Sequence, residues 1–389
     1  MSKETQRVVL FVGGSLMPFC RFRRALIERL VRQHGCQVIC AYWGDRENGI
    51  FARFQMPGVR WVDLGGDHAT PPGPGDLAPM RRLFRLIRQT RPGIVCCFNA
   101  KPIVLAPVIV RLALRLTGRR PRIVALMEGL GTALSFLLHP EGGAKRRVFR
   151  RLTRTVDRWV LLNPRDLALI QKVHPDRTDA LMLPGIGTDT ALFHPASDPL
   201  AHRRLIFVGR LVPEKGIGLF LDLALHLKRQ GRDWRLAIAG IPSAHGGITA
   251  DDVRGWTAGG LIETCGPVSD MAAFYRNASV LVFPSEYHEG LPAALMEAQA
   301  SGLPCLVLDR PAIRGAIIDG ETGFLLPGND PAQWSDALDR LSDPATFAAF
   351  SRAARRHACA VYDQDRTNAR LAAALLEGEG PHPTAHSDA

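Results

Sequence analysis

The chain has 389 residues, 46% of them hydrophobic and 22% charged, with a net charge of +12. That is too long for one compact core and suits two α/β domains of ordinary globular composition. The charge is uneven: residues 1–190 carry 31 Lys and Arg against 14 Asp and Glu, and the remainder carries 18 against 23. A cationic first half points to a polyanion there, such as nucleic acid, an anionic leaflet or a diphosphate. MSKETQR at the N-terminus lacks the apolar core of a signal peptide, and the longest apolar stretch, Pro102 to Val110, is too short for a membrane span. The eight cysteines form no CxxC pair and have no His at zinc spacing, so no metal site is expected. They read as buried small hydrophobes in a reducing cytosol.

β-Branched runs alternate with amphipathic stretches, the pattern of βαβ units and parallel sheets. A strand is expected at Val8–Val12, a turn at Gly13-Gly14 and a helix from Arg21 to His34, followed by a strand at Gln37–Ala41. Asp67–Pro79, rich in Pro and Gly, reads as a surface loop. A basic helix at Arg81–Thr90 leads to strands at Ile94–Phe98, Ile123–Met127 and Trp159–Leu162. The rhythm breaks between Pro184 and Pro199, where the domain boundary is placed. A second series follows: strands at Leu205–Val208, Arg235–Ala239, Val280–Phe283 and Cys305–Leu308, with helices at Ile217–Gln230, Ser269–Asn277, Leu291–Ser301 and Pro331–Leu341 and a final pair near 344–378. Two doubly wound domains would bind a ligand outside the carboxyl ends of their strands.

Two constellations carry chemistry. In FVGRLVPEKGIG, residues 207–218, a strand ends, a glycine turn follows, and Arg210 and Lys215 flank a loop that opens onto a helix. Backbone N–H groups, the positive helix end and two cations could hold one anion, and a diphosphate suits them, although the loop also reads as ordinary charged surface. No GK[ST] and no GxGxxG is present. In PSEYHEGLPAALMEAQASGLP, residues 284–304, Glu289 precedes an expected helix whose first turn holds Pro292, and Glu297 lies two turns inside it. Both carboxylates could face one pocket and bind paired sugar hydroxyls. They fit equally a dipole partner and a solvated helix residue.

The pairing of GRLVPEKG with EGLPAALMEAQASGLP resembles glycosyltransferase family 4. The segments CGPVSDMAAFYRNASVLVFPS (265–285), DGETGFLLPGNDP (319–331) and LPGIGTDTALFHP (183–195) are similar to the same family. The resemblance implies an α/β GT-B fold, two doubly wound Rossmann-like domains facing an interdomain cleft: an acceptor domain of residues 1–190, a donor domain of 191–365 and a C-terminal helix and tail of 366–389 that crosses back to the first. It implies a retaining transferase needing neither metal nor cofactor. In that reading Arg210 and Lys215 hold the donor diphosphate, Glu289 the donor-sugar hydroxyls and Glu297 the ribose. Val268 lies near the base, Gly290 and Leu291 complete the donor contacts, and Gly13 and Gly14 let a loop approach the phosphates. FNAKPIVLAPVIVRLAL (98–114), MEGLGTALS (127–135) and LLNPRDLALI (161–170) are similar to bacterial transferases acting on undecaprenyl-diphosphate-linked sugars. Two positions depart from the family. Glu128 stands where many members have a His near the reacting sugar; it could take a proton, bind a hydroxyl or cap a turn. Arg314-Gly315 replaces a frequent Arg-Glu pair, which puts that loop's part in sugar selection in doubt.

RRLFRLIRQTR (81–91) and KRRVFRRLTRTVDR (145–158) interleave Arg with apolar residues at helical spacing, and Arg111, Arg115, Arg119, Arg120 and Arg122 add a third cluster. Such helices suit an anionic membrane surface, and their apolar faces also suit packing on a sheet. No RNA-binding motif accompanies them, so nucleic acid is not an expected partner. The expected activity moves a hexose or N-acetylhexosamine from a UDP-sugar to a lipid-linked glycan, as in lipopolysaccharide assembly, at the inner face of the cytoplasmic membrane. The alternatives are a soluble acceptor or a sugar-nucleotide epimerase on the same fold.

Overall fold

A computed structural model describes residues 7–44, 56–67, 70–117, 120–130, 134–138, 143–175, 179–242, 248–264, 266–287, 290–311 and 313–377. Expectations that fall on Glu289, Cys265 and the tail beyond 377 lie outside the described residues. The chain divides into two compact units, residues 1–161, 167–183 and 366–389 in one and 162–166 and 184–365 in the other.

The first unit is built on β1 (Val8–Gly13), β2 (Gln37–Tyr42), β3 (Val59–Asp63), β4 (Ile94–Phe98), β5 (Arg122–Met127), β6 (Arg158–Leu161) and β7 (Ala180–Met182). All pair parallel, in the order β3-β2-β1-β4-β5-β6-β7. β1, β4 and β5 are almost fully buried, which is why they read as continuous apolar runs. Their connections include α1 (Arg24–Arg32), α2 (Leu77–Thr90), α3 (Ala100–Thr117), α4 (Gly143–Thr153) and α5 (Pro164–Val173). Leu10, Val12, Ile39, Val95 and Cys97 form one face of its core with Leu83, Ile87, Ile103 and Val110 from the helices.

The second unit has β8 (Arg204–Val208), β9 (Arg235–Ala239), β10 (Glu263–Thr264), β11 (Val280–Phe283), β12 (Cys305–Leu308) and β13 (Gly323–Leu326), again all parallel, in the order β10-β9-β8-β11-β12-β13. It carries α6 (Ile217–Arg229), α7 (Ala250–Ala258), α8 (Met271–Arg276), α9 (Ala293–Ala300), α10 (Pro331–Leu341) and α11 (Pro344–Val361). Alternate residues of each strand serve opposite faces. Leu205, Phe207, Val280 and Val282 pack under α6 and α10, while Ile206, Leu281, Cys305 and Val307 pack under α9. Asp330 and Asp343 cap α10 and α11, each accepting from a backbone N–H and each followed by Pro at the first helical position. α12 (Gln364–Leu376) packs on the first unit: Arg122 donates to the Leu375 carbonyl at 3.4 Å, and Arg158 reaches Glu377 at 3.1 Å.

The doubly wound expectation holds, with local differences. The expected loop Asp67–Pro79 gives way to α2 at Leu77, because the first helical turn has no internal use for its N–H groups and so tolerates Pro79. The helix expected from Arg21 begins instead as a π-helical turn, Phe19–Arg23, continued by α1. Pro292 is the N-cap of α9, not part of its first turn. The basic stretch 145–158 is not one helix: α4 ends at Thr153, and Arg158 opens β6. Among the described residues Cys20, Cys36, Cys40, Cys96, Cys97 and Cys305 are buried, and desolvation pushes the Cys96 thiol up to about 12.

One buried ion pair gives the first unit a testable pH dependence. Lys101 Nζ meets Asp76 Oδ1 at 2.9 Å, with both side chains 5% exposed, and Trp43 Nε1 donates to the same oxygen at 2.6 Å. Burial pushes the Asp76 carboxyl up. The hydrogen bonds from Lys101, Gly73 and Trp43 outweigh that and hold it below the usual carboxylate range. A carboxylate depressed by folding stabilises the protein above its unfolded titration, and that contribution is lost as the pH falls through the folded one. Lys101→Met should cost about 3–5 kcal/mol by stranding a buried charge. Urea unfolding followed between pH 7 and pH 3 checks this: the gap between wild type and variant should shrink on acidification.

Candidate functional site

In each sheet the strand order reverses beside the first strand, between β1 and β4 and between β8 and β11, and loops leaving the carboxyl ends there are the natural ligand positions. In the second unit β8 ends at Val208, and Gly209 and Gly240 pass so closely that a Cβ at Gly240 would lie 2.2 Å from the Gly209 carbonyl oxygen. The chain then makes a tight 3₁₀ turn, Pro213–Lys215, and Gly216 with φ 77° leads into α6. Only glycine fits at Gly216, because a Cβ would lie 2.1 Å from the Pro284 carbonyl oxygen.

That close approach joins the two motifs. Pro284 opens the loop after β11, and the backbone N–H of Glu286 donates to the Glu214 carbonyl at 2.8 Å. Tyr287 follows, and both cations lie over its ring: Arg210 Cζ is 5.5 Å from the centroid and Lys215 Nζ is 5.3 Å. Lys215 Nζ is also 5.9 Å from the Phe283 ring. The Arg210 side chain is exposed, and Lys215 sits one residue before the glycine that opens α6. Two cations thus lie beside a helix N-terminus, a setting whose charge and backbone N–H groups suit an anion.

Beyond Tyr287 the chain reaches Gly290, which is buried, and Leu291, which packs on the α9 core together with Val268 from the loop after β10. Glu297 lies on α9 and is only 7% exposed, an unusual setting for a carboxylate on a helix. Glu289 lies outside the described residues. Arg314 makes a bidentate pair with Asp309 at 2.7 Å, which holds the Asp309 carboxyl below its usual range, so this guanidinium is committed within the chain. Arg310 pairs with Glu286 at 2.7 Å.

In the first unit a Cβ at Gly13 would lie 2.5 Å from Phe98 and 2.7 Å from Phe19, so packing demands glycine there. The Gly14 N–H donates to Asn99 Oδ1 at 3.0 Å, and Asn99 itself takes the left-handed conformation with φ 66°. Glu128 is 23% exposed at the end of β5 and pairs with Arg23, and its other oxygen accepts from Asn99 Nδ2 at 3.5 Å. Arg23 is 1% exposed, and burial lowers its guanidinium to about 10.

The structure therefore places Arg210 and Lys215 together, with Gly290, Leu291, Val268 and Glu297 on the adjoining elements of the second unit, and gathers Gly13, Gly14 and Glu128 at one end of the first sheet. Sequence reasoning did not single out Tyr287, Asn99 or Arg23. Tyr287 had a usable signal, an aromatic residue between the strand and the glutamates.

Solved structures with the same fold include the sucrose-phosphate synthase of Thermosynechococcus elongatus, with a TM-score of 0.74 and 17% identity over 94% of this chain and 97% of that one. Anabaena HepE in complex with UDP-glucose gives 0.73 and 16% over 95% and 99%. These likenesses establish the GT-B fold. Curated relatives include the D-inositol 3-phosphate glycosyltransferases of Acidothermus cellulolyticus, 32% identical over 50% of this chain and 47% of that one, and of Thermobispora bispora, 32% identical over 55% and 53%. The chain spans about half the length of the curated relatives it matches. Residues 202–343, which include Arg210, Lys215, Tyr287 and Glu297, match the family model described as Glycosyl transferases group 1.

Proposed function

We propose that the chain is a retaining, metal-independent glycosyltransferase that moves a hexose or N-acetylhexosamine from a UDP-sugar to a lipid-linked glycan. The observation that carries this reading is the convergence of Arg210 and Lys215 on Tyr287 beside the N-terminus of α6. The match of this segment to group 1 glycosyl transferases supports it, as does the UDP-glucose complex of a protein with the same fold.

The chemistry follows from the charges. As the bond between the anomeric carbon and the diphosphate oxygen breaks, its electron pair moves onto the diphosphate, and Arg210 and Lys215 stabilise the charge that develops there. The acceptor hydroxyl oxygen attacks the same carbon from the face the leaving group occupied and gives its proton to a released phosphate oxygen. The configuration is retained and no protein nucleophile is needed. Glu289 is assigned to the donor-sugar hydroxyls and Glu297 to the ribose. Val268, Gly290 and Leu291 line the nucleoside, the Gly13-Gly14 loop is assigned to the phosphates although the space at Gly13 itself is taken by Phe98 and Phe19, and Glu128 serves the acceptor.

The lipid-linked acceptor is favoured by the first unit's charge. Arg81, Arg82, Arg85 and Arg88 on α2 and Lys145, Arg147, Arg150 and Arg151 on α4 are exposed, while Leu83, Leu86, Ile87 and Phe149 pack inward. Val148 on α4 and Leu112 on α3 are also exposed. Each cation near an anionic leaflet contributes about 1 kcal/mol. Among the described residues no helix is long and apolar enough to cross a membrane. A soluble phosphorylated acceptor is the second reading, favoured by the inositol 3-phosphate in the names of the curated relatives. Incubation with radiolabelled nucleotide-sugars separates the two, with undecaprenyl-diphosphate-sugars in one arm and inositol phosphate in the other. Label should enter the lipid fraction; incorporation into water-soluble acceptors alone would overturn the membrane assignment.

A further inference from the structure

The proposed acceptor residue, Glu128, does not stand alone, and what surrounds it assigns a part to a residue outside both motifs. Arg23 ends the π-helical turn Phe19–Arg23 that follows the Gly13-Gly14 loop. Such turns are rare and concentrate at functional sites. This one carries an arginine to an almost wholly buried position, where Nη2 donates to Glu128 Oε1, Nη1 reaches the Phe22 carbonyl at 3.3 Å and the guanidinium carbon lies 5.7 Å from the Phe98 ring centroid.

The second oxygen of Glu128 is also engaged. Asn99 Nδ2 points to Oε2 at 3.5 Å, while Asn99 Oδ1 accepts from the Gly14 N–H. The left-handed backbone of Asn99 is a conformation that most residues with a side chain avoid, and it brings both ends of the amide into use. Glu128 thus has one partner on each oxygen, while 23% of its side chain remains exposed. An ionised carboxylate accepts about four hydrogen bonds, so its outer edge keeps capacity for a ligand. A purely structural role fits less well. A buried pair is replaceable by apolar packing at little cost, and this pair lies at the carboxyl end of β5, where sheets of this kind meet their ligands.

We infer that Arg23 is a positioning residue that acts through Glu128, fixing the carboxylate so that its outward edge accepts a hydrogen bond from a hydroxyl of the acceptor. Asn99 completes the frame and ties it to the Gly13-Gly14 loop. The inference rests on the transferase reading, and the experiment keeps the two apart.

Arg23→Gln, Arg23→Lys, Glu128→Gln and the double variant R23Q/E128Q are compared with wild type for thermal midpoint, UDP affinity, and kcat and KM with the lipid-linked acceptor at saturating donor. Arg23→Gln should raise the acceptor KM about 10- to 100-fold, the worth of one charge-assisted hydrogen bond, with UDP affinity within about twofold of wild type. Arg23→Lys should recover most of that loss. The double variant should be no worse than Glu128→Gln, because both changes remove one link. Should Arg23→Gln fail to fold, the double variant, which leaves no stranded charge, and Arg23→Lys carry the same comparison. The inference is overturned if Arg23→Gln leaves the acceptor KM unchanged, if the losses of the two single variants multiply in the double variant, or if UDP affinity falls in step with acceptor affinity. A wild-type chain that neither binds UDP nor transfers sugar overturns the transferase reading instead.

Discussion

Arg210→Ala is expected to lower kcat/KM for the donor by about 100- to 1,000-fold, the usual consequence of removing one group that stabilises charge in the transition state. The size follows from where the side chain sits. Arg210 is exposed on the loop after β8, over Tyr287, and supports no part of the core. Thermal stability should therefore change by less than about 0.5 kcal/mol, which separates a chemical loss from a folding one. If both cations serve one diphosphate, Lys215→Ala should give a similar loss, and the double variant less than the product of the two. Arg210→Lys should recover only part of the rate, since a point charge replaces a planar fork that can hold two phosphate oxygens at once. Steady-state kinetics with a fixed acceptor and varied UDP-sugar measure all four.

The second large effect is expected at Glu297. Glu297 is 7% exposed on α9, a helix otherwise packed against β11 and β12. Glu297→Gln keeps the volume and removes the charge. If the carboxylate holds the ribose hydroxyls, UDP affinity should fall about 10- to 100-fold, as for the loss of charge-assisted hydrogen bonds. The more telling measurement is discrimination. Wild type should prefer UDP over its 2′,3′-dideoxy analogue, and Glu297→Gln should bind both alike, because the groups that differ no longer have a partner. A preference kept intact in the variant would remove Glu297 from the ribose site.

Much of the fold was legible because parallel strands buried on both faces leave unbroken apolar runs. Ile94–Phe98, Arg235–Ala239, Val280–Phe283 and Cys305–Leu308 were bounded correctly for that reason. β3 was missed because Val59–Asp63 lies at the sheet edge and mixes Arg, Trp and Asp with its valines. α3 was read only as an apolar stretch. Pro102 and Pro107 interrupt it, and a helix buried around much of its surface shows little periodicity. The Arg210–Lys215 loop stood out because a strand, a glycine and two cations precede a helix in short order, although alone it also read as charged surface. Tyr287 did not, since a lone aromatic in a loop reads as packing until the cations are seen above it. Arg23 was hidden by abundance. It is one of 31 basic residues in the first 190, and nothing in sequence separates it from the solvated ones.

Arg210 and Lys215 are proposed to form a diphosphate site. Titration calorimetry of UDP into the 389-residue chain, with a chelator present, is the test. Wild type should show saturable one-to-one binding that needs no divalent ion and weakens as salt is raised, and the Arg210→Ala/Lys215→Ala double variant should lose it while its thermal midpoint stays put. Binding of UDP with undiminished affinity by that double variant would contradict it.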